Sequence, residues 1–200
     1  MIALNSGKYL TPEEYLEFEK TSEIRHEYVD GEIYAMAGAS NAHNRISRNL
    51  LVELTLKLRG TPCESYMGDM KVRVREGKKF FYPDILVACA SETEDLTTYY
   101  MDQPKLIIEV LSKSTEGFDR GDKFEFYRSI PSLEEYLLVS SQRYLIDHFR
   151  RGENDLWVLQ SYQNLDTTLS QKSLELEVSV ADIYRDITFK NEEETENKNV

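Results

Sequence analysis

Apolar residues recur at helical spacing in one long segment of the chain. Between residues 41 and 58 they share one face of a helix, at Ile46, Leu50, Leu51, Leu54 and Leu58. Gly60 follows and is suited to ending the helix, because glycine readily adopts the left-handed conformation found after many helices. The pattern predicts an amphipathic helix over residues 41–58, and its spacing places His43 on the buried side.

The N-terminal segment carries the signals of a helix followed by a tight turn. Thr11 can cap a helix that opens with proline, and Glu14 completes a capping box three residues later. This predicts a helix over residues 11–20. Asp30-Gly31 supplies the positive φ angles of a two-residue turn, so residues 28–34 are predicted to form a β-hairpin.

Alternating and continuous apolar runs predict β-strands in the middle of the chain. Residues 70–75 alternate between apolar and basic side chains, with the bases on one face. Residues 80–89 are nearly all apolar and predict one strand, interrupted by Pro83-Asp84, and residues 105–111 predict a second that only Glu109 interrupts. Further strands are predicted at 135–139, 144–149 and 156–162, and helices at 122–130 and 179–184.

The composition indicates one globular domain. The chain has 200 residues, of which 40% are hydrophobic, and this suffices for a core of its own. We expect a single α+β domain over residues 1–189 and a disordered acidic tail over residues 190–200, which are almost devoid of apolar side chains. The longest apolar run, residues 85–90, is far shorter than the roughly 20 residues of a membrane-spanning helix.

The cysteines and the N-terminus bear on the cellular compartment. The chain has two cysteines, Cys63 and Cys89, with no further Cys or His near either at metal-ligand spacing. We therefore expect neither a disulfide framework nor a structural zinc site. The N-terminal residues lack the pattern of a secretion signal. These features together predict a cytoplasmic location.

The charge is negative overall and unevenly distributed. Twenty-four basic and 36 acidic residues give a net charge of −12, which argues against holding nucleic acid by bulk electrostatic attraction. Residues 11–32 carry eight acidic and two basic side chains, whereas residues 43–79 carry nine basic and four acidic ones. A local basic face is still compatible with this distribution, and its candidates for phosphate contact are Arg45, Arg48, Lys71, Arg73 and Arg75. The alternative is that these bases merely balance the acidic N-terminal segment.

Two carboxylates interrupt apolar strands. Asp84 follows Pro83 within one of them and Glu109 lies in the middle of another. Burying an unpaired charge is costly, so if the two strands are neighbours, the pair needs a cation between them. A hard divalent cation such as Mg²⁺ meets that need. The alternative is that Asp84 lies at a solvated strand end and Glu109 pairs with a buried lysine.

Lys123 is a third candidate, on the helix predicted after the strand of Glu109. The first turns of that helix lie beside the end of the strand in a strand–helix crossover, which would bring Lys123 back toward Glu109. Its cation would orient and polarise an attacking water or offset charge on a phosphorane-like transition state. Asp119 and Tyr127 share its helix face at four-residue spacing. The alternative is a solvated lysine without a role in chemistry.

Taken together, Pro83-Asp84, Glu109 and Lys123 resemble the PD-(D/E)XK nuclease superfamily. The chain is most similar to one of its members, the bacterial Uma family of restriction-endonuclease-like proteins. The resemblance spans residues 10–187 and depends on the order and spacing of several strings more than on any one. These strings are RHEYVDGE (25–32), AHN (42–44), YPDI (82–85), IEVLSKST (108–115) and DRGDKFEFY (119–127).

The resemblance implies a restriction-endonuclease-like fold, with a central mixed β-sheet flanked by helices and an N-terminal helix and β-hairpin. It implies that Asp84 and Glu109 bind Mg²⁺ or Mn²⁺, with the Val110 carbonyl as a third ligand. The superfamily motif places its lysine two residues after the glutamate, where this chain has Leu111. Members of the family move that lysine to the following helix, which makes Lys123 its counterpart.

Three accessory residues complete the expected site. The resemblance implies that Glu27 supplements the metal site and that His43 holds a phosphate or a water. Tyr127 joins them because it shares the helix face of Lys123. The alternatives are that Glu27 pairs with Arg25 or another neighbour and that His43 is a packing residue.

These residues predict a metal-dependent endonuclease that hydrolyses DNA, acting as a homodimer through the aromatic-rich segment 136–162. The alternative is a binding or regulatory module that keeps the nuclease fold without turnover. The chain has no phosphate-binding G-x-x-x-x-G-K-[ST] string and no G-x-S-x-G string, which excludes P-loop and serine-elbow enzymes. Paired carboxylates also suit glycoside hydrolysis, but that chemistry gives no reason for a lysine beside them.

Overall fold

A computed structural model describes residues 9–89 and 97–189 of the chain. The described residues form five α-helices, listed here in chain order: α1 (Pro12–Thr21), α2 (Asn41–Lys57), α3 (Glu116–Arg120), α4 (Asp122–Tyr127) and α5 (Val180–Ile183). None of them is long and apolar enough to cross a membrane. The predicted acidic tail, residues 190–200, lies outside the described residues.

The described residues also form thirteen β-strands, most of them short. In chain order they are β1 (His26–Val29), β2 (Glu32–Ala35), β3 (Cys63–Met67), β4 (Lys71–Val74), β5 (Lys79–Phe81), β6 (Ile85–Cys89), β7 (Tyr100–Met101), β8 (Pro104–Leu111), β9 (Glu135–Ser140), β10 (Ile146–Arg151), β11 (Trp157–Tyr162), β12 (Thr168–Gln171) and β13 (Leu176–Ser179).

A six-stranded mixed sheet forms the centre of the fold. Its strand order is β11-β10-β9-β8-β6-β3, and β8 and β9 run parallel whereas the other neighbours are antiparallel. A five-stranded sheet has the order β2-β1-β5-β4-β7, and β12 pairs with β13. The α+β class with a central mixed sheet is confirmed.

Hydrophobic residues cover both faces of the central sheet. One cluster joins Ile46, Leu50 and Leu54 of α2 to the sheet and to the C-terminal segment through Val178 and Ile183. A second cluster on the opposite face combines residues of β4, β5, β8 and α4: Val72, Val74, Phe81, Ile107, Leu111 and Tyr127. The central sheet is therefore buried on both faces, and α2 and β4 lie on opposite sides of it.

The N-terminal predictions are confirmed in detail. The Thr11 hydroxyl accepts a hydrogen bond from the backbone N–H of Glu14, and the Glu14 carboxylate accepts one from the backbone N–H of Thr11. This reciprocal pair is the predicted capping box. Asp30 and Gly31, with φ of 48° and 102°, join β1 to β2 in the predicted hairpin.

The predicted interruption at Pro83-Asp84 is confirmed, but residues 80–89 form two strands and not one. The segment forms β5 and β6, which belong to different sheets. Tyr82, Pro83 and Asp84 separate them, because proline cannot donate a backbone hydrogen bond to continue a ladder. The break places Asp84 at the junction of the two sheets.

The helix predicted over residues 122–130 is shorter in the structure, where it forms α4. A second short helix, α3, precedes it and is separated from it at Gly121. A Cβ atom at Gly121 would lie 3.1 Å from the carbonyl oxygen of Gly117, so the kink has little space for a side chain. The strands β3, β7, β12 and β13 are also absent from the sequence predictions, since their short segments lack a clear alternation.

The expectation that the cysteines form no disulfide is wrong. Cys63 of β3 and Cys89 of β6 face each other across neighbouring antiparallel strands and are joined by a disulfide. Pairing between distant segments brings them together, which their separation in sequence does not indicate. The bond also removes the argument from cysteine usage for a reducing compartment.

Candidate active site

Asp84, directly before β6, lies beside Glu109 of β8, and the two strands are neighbours in the central sheet as predicted. Ile85 of β6 pairs with Ile108 of β8. In this antiparallel register, Asp84, just before Ile85, is a neighbour of Glu109, just after Ile108. The backbone N–H of Val110 donates a hydrogen bond of 2.7 Å to Asp84 Oδ2. Sheet pairing thus brings two carboxylates that are far apart in sequence to one place.

Lys123 lies at the centre of a buried group of carboxylates. Its Nζ atom is 2.9 Å from Glu27 Oε1, 2.9 Å from Glu109 Oε1 and 3.6 Å from Asp119 Oδ1. All four side chains are less than one-tenth exposed. We call Glu27, Glu109, Asp119 and Lys123 the lysine cluster. The prediction that Lys123 reaches back to Glu109 is confirmed, and the solvated alternative is wrong.

Tyr127 fixes the orientation of Glu109 within this cluster. Its hydroxyl donates a hydrogen bond of 3.0 Å to Glu109 Oε1, and the tyrosine is fully buried. Tyr127 lies one helical turn after Lys123 on α4, so the predicted common face is present. Both side chains therefore approach the same oxygen atom of Glu109 from the helix.

His43 and Asp84 form a second, more accessible pair. The Nε2 atom of His43, in the first turn of α2, lies 3.2 Å from Asp84 Oδ1, and the Asp84 side chain is 24% exposed. Burial lowers the pKa of His43, but the hydrogen bond and charge of Asp84, with a hydrogen bond to the Val110 backbone, outweigh it and raise the pKa above its usual value. His43 therefore faces two of the predicted metal-binding groups.

Burial and charge act in opposite directions on the lysine cluster. Burial raises the pKa of Glu109 well above its usual value, against the lowering effect of the Lys123 ammonium, while the charges of Asp119, Asp84 and Glu27 raise it further. Burial disfavours the Lys123 ammonium, but the carboxylates of Glu109, Glu27 and Asp119 raise its pKa well above the usual value. The site holds a protonated lysine and more acidic groups than that lysine can neutralise.

The chemistry of these donors fits a hard divalent cation in part. Asp84 and Glu109 supply carboxylate oxygens and Val110 supplies a carbonyl, which is the kind of donor set Mg²⁺ accepts together with waters. The acidic surplus around Lys123 also favours a cation. Among residues 9–89 and 97–189, however, no three His, Cys, Asp or Glu side chains are grouped so as to hold a metal ion. The fit therefore depends on two side chains and a backbone oxygen.

The non-catalytic alternatives predicted for Asp84 and Glu109 agree with the structure in part. Glu109 does pair with a buried lysine, and that lysine is Lys123 itself. Asp84 does lie just outside its strand, with its side chain partly exposed. Glu27 forms an ion pair with Lys123, whereas Arg25 forms one with Asp69. Leu111, at the motif position of the superfamily lysine, is buried in the apolar cluster.

The structure does not bring the five candidate phosphate-binding bases onto one face. Lys71 is 6% exposed and donates to the Tyr82 hydroxyl, and burial lowers its pKa. Arg73 forms two hydrogen bonds with Asp102, and Arg75 lies 3.5 Å from Glu125. The acids that partner the arginines belong to later segments than the acidic N-terminal one. On α2, Arg45 and Arg48 are exposed and lie on the opposite side of the central sheet from β4.

Two acidic residues at the site were not predicted as members of it. The four-residue spacing already places Asp119 on the helix face of Lys123, and the structure adds it to the lysine cluster. Glu19 of α1 is the other: it accepts hydrogen bonds of 2.8 Å from the His26 backbone and 2.9 Å from the Tyr82 hydroxyl. No local pattern marks Glu19, because its partners come from distant segments.

Comparisons with known proteins agree with this architecture. The family model Uma2, described as "Putative restriction endonuclease", matches residues 12–182. Two relatives from Synechocystis sp., "Uncharacterized protein slr1290" and "Uncharacterized protein sll1609", are 39% and 36% identical over 180 residues. That alignment covers 90% of this chain and 94% and 98% of the two relatives.

A solved structure has the same fold. The crystal structure of "a putative nuclease belonging to DUF820" from Anabaena variabilis superposes with a TM-score of 0.68. The match covers 87% of this chain and 97% of that one, at 15% sequence identity. At this identity the similarity establishes the fold alone.

Proposed function

We propose that this chain, which belongs to the Uma2 family of restriction-endonuclease-like proteins, is a metal-dependent endonuclease that hydrolyses DNA phosphodiester bonds. The observation that carries the proposal is the contact of Lys123 with Glu109, 2.9 Å long and buried, beside the accessible carboxylate of Asp84 on the neighbouring strand. A buried lysine among acidic groups, next to a partly exposed aspartate, suits a site that binds a phosphate and positions a water for attack on it.

The metal would be held by Asp84, Glu109 and the Val110 carbonyl. A bound Mg²⁺ or Mn²⁺ would lower the pKa of a water and offset the negative charge of the phosphate. The Tyr127 hydroxyl holds Glu109 in place through its 3.0 Å hydrogen bond. Val110 does the same for Asp84 through its backbone N–H. These two contacts keep the carboxylates positioned on separate strands.

Lys123 has an electrostatic role in this proposal. The neighbouring carboxylates raise its pKa well above the usual value, so the amine is protonated at neutral pH and is unsuited to abstract a proton. Its ammonium would orient the attacking water and stabilise charge on the phosphoryl oxygens. The water oxygen forms a bond to phosphorus as the bond to the leaving sugar oxygen breaks. The water gives up its proton to solvent, and the leaving oxygen acquires one from solvent.

Glu27 and His43 act as accessory residues. Glu27 accepts a contact from Lys123 and so restrains the ammonium. His43, next to Asp84, is placed to contact a phosphate oxygen of the substrate at the accessible side of the site. Arg45 and Arg48, exposed on the same helix as His43, are the remaining candidates for phosphate contact.

A plasmid-nicking assay tests the proposal. Purified protein with Mg²⁺ or Mn²⁺ is expected to relax supercoiled plasmid, and chelation is expected to stop the reaction. Asp84→Asn should abolish nicking, whereas the matched control Asp166→Asn, at an exposed aspartate between β11 and β12, should behave as wild type. Metal-dependent nicking by Asp84→Asn at the wild-type rate would refute the assignment.

A catalytically inactive nuclease-fold module is the second candidate. It is favoured by the absence of a group of three metal-binding side chains among the described residues and by Leu111 at the motif position. Calorimetric titration with Mn²⁺ separates the two. If the wild-type protein binds Mn²⁺ and Asp84→Asn does not, the result supports the nuclease proposal. If the wild-type protein binds no Mn²⁺ at millimolar concentration, the result supports the inactive module.

We also propose that two copies associate through β11. Among residues 9–89 and 97–189, this strand is the last in the central sheet. It contains no charged residue, and Val158 and Leu159 are each about half exposed. A second β11 could pair with it antiparallel, which would bury these apolar side chains and the edge of the strand. Light scattering is expected to show a dimer for the wild-type protein and a monomer for Leu159→Lys. The control Val52→Lys, at an exposed valine of α2, should remain a dimer.

A cytoplasmic location is part of the proposal because the substrate is DNA. The Cys63–Cys89 disulfide gives no support to it, since such bonds are uncommon in reducing compartments. Thiol labelling of protein taken directly from cells tests the location. Two reactive thiols are expected in the cytoplasm, and fully blocked thiols would argue against it.

A further inference from the structure

Arg25 is a surface cation attached to the segments that adjoin Asp84. It directly precedes β1, and its carbonyl accepts a 2.9 Å hydrogen bond from the Met36 backbone N–H, which extends the β1–β2 ladder. The guanidinium forms an ion pair with Asp69, in the turn between β3 and β4. The side chain of Arg25 is 50% exposed and that of Asp69 is 77% exposed. The pair therefore lies open to solvent.

Two contacts tie this ion pair to the proposed active site. The turn that carries Asp69 is bonded to Asp84, since the Gly68 N–H donates to the Asp84 carbonyl at 3.1 Å. On the other side, the Arg25 guanidinium lies 6.0 Å from the ring centre of Tyr82, two residues before Asp84. Arg25 is thus linked to Asp84 by the turn of Asp69 on one side and by Tyr82 on the other.

The neighbouring lysine cannot take the same role. Lys71 also lies against the Tyr82 ring, at 4.9 Å, but it is 6% exposed and already donates to the Tyr82 hydroxyl. Burial also lowers its pKa. Arg25, by contrast, presents a planar group with several donors that matches a phosphate.

The Arg25–Asp69 pair is easily exchanged for another. An ion pair between exposed side chains contributes little to stability, because water solvates both partners well. A phosphate of bound DNA can replace the Asp69 carboxylate, because both groups accept two parallel hydrogen bonds from a guanidinium. Asp69, in contrast, repels a phosphate that approaches the same place.

We propose that Arg25 leaves Asp69 when DNA binds and donates to a phosphate next to the scissile one, so that Asp69 restrains DNA affinity in the free protein. The inference depends on the proposed function in taking DNA as the substrate of the site beside Asp84. It assigns Arg25 to substrate positioning and gives it no part in the chemical step. It makes opposite predictions for the two members of one ion pair.

Binding of a labelled DNA duplex tests the inference independently of cleavage. The measurements use Asp84→Asn protein, which is expected not to cut, and follow fluorescence anisotropy over a range of salt concentrations. Arg25→Ala is expected to raise the Kd about tenfold and to reduce the salt slope by about one phosphate contact. Asp69→Asn is expected to lower the Kd two- to fivefold, and Arg25→Lys to recover part of the affinity.

Arg59→Ala is the matched control. Arg59 is exposed just after α2, at the end of that helix remote from His43 and Asp84, and its loss changes the charge equally. It is expected to change the Kd by less than twofold. In wild-type background, Arg25→Ala should raise KM while kcat stays within twofold, which a merely structural defect would not produce.

Each outcome decides between the two proposals. If wild type cuts DNA but Arg25→Ala binds as well as its parent, or Asp69→Asn weakens binding, the inference is wrong and the nuclease proposal stands. If the two variants shift the Kd as expected while wild type cuts no DNA with any metal, the phosphate contact stands and the nuclease proposal fails. If the Asp84→Asn protein binds no duplex, the inference is wrong whatever the activity.

Discussion

The Lys123 ammonium lies 2.9 Å from the Glu109 carboxylate in the protein interior, with both side chains 6% exposed or less. Glu27 and Asp119 lie around the same ammonium. Three acidic groups thus share one basic group in the buried part of the site. The loss of its basic member should therefore destabilise the protein more than the loss of one acidic member.

Lys123→Met is expected to lower the free energy of unfolding by about 3–5 kcal/mol, because it leaves buried acidic groups without their counter-charge. Glu109→Gln keeps the volume and removes one member of the acidic surplus, so its cost should be much smaller. Both variants should lose nicking activity. Urea unfolding at neutral pH measures the difference, and equal losses of stability would contradict the described balance of charge.

Tyr127→Phe is expected to lower the free energy of unfolding by about 1–2 kcal/mol, since it removes a buried hydrogen bond to Glu109. Tyr34→Phe is the matched control. Its hydroxyl donates to Glu32 at 2.6 Å in a partly exposed position, where water can replace the lost partner. A loss for Tyr34→Phe as large as that for Tyr127→Phe would show that burial is not the cause.

Glu135 should contribute to the loss of stability in acid. Burial would raise its pKa, but hydrogen bonds from His148, at 2.7 Å, and from the Ser173 backbone, at 2.7 Å, outweigh burial and lower it. Because the folded-state pKa lies below the unfolded-state value of about 4.3, this stabilisation is present above that value and disappears as the pH falls through the folded-state pKa.

Glu135→Gln should therefore flatten the decline of unfolding free energy below about pH 4.5. Thermal unfolding across pH 3–7, with Glu153→Gln as an exposed control, is the measurement. If the stability of Glu135→Gln fell as steeply in acid as that of wild type, groups other than Glu135 would cause the decline.

Reduction of the Cys63–Cys89 disulfide is expected to lower the free energy of unfolding by about 2–4 kcal/mol, because the bond restricts the unfolded chain. Urea unfolding with and without a reductant measures the change. The double variant Cys63→Ser, Cys89→Ser serves as the control and should not respond to the reductant. An identical unfolding curve for wild type in both conditions would argue that the bond is absent in solution.

Local signals in the sequence determined the elements whose causes lie within a few residues. The capping box of Thr11 and Glu14, the apolar face of α2 and the Asp30-Gly31 turn all appear where the sequence predicts them. Asp84 and Glu109 were recognisable as candidates for the same reason, since a carboxylate within an apolar strand is costly wherever that strand packs.

Tertiary structure alone decided which distant segments meet. Glu27 reaches Lys123 from a strand near the N-terminus, Cys63 lies opposite Cys89 through strand pairing, and the break at Pro83 sends β5 and β6 into different sheets. Neighbouring residues do not encode such contacts, because register and partner choice follow from packing of the whole apolar core. The sequence thus indicated most residues of the candidate site, but it did not indicate how the acidic side chains are arranged around Lys123.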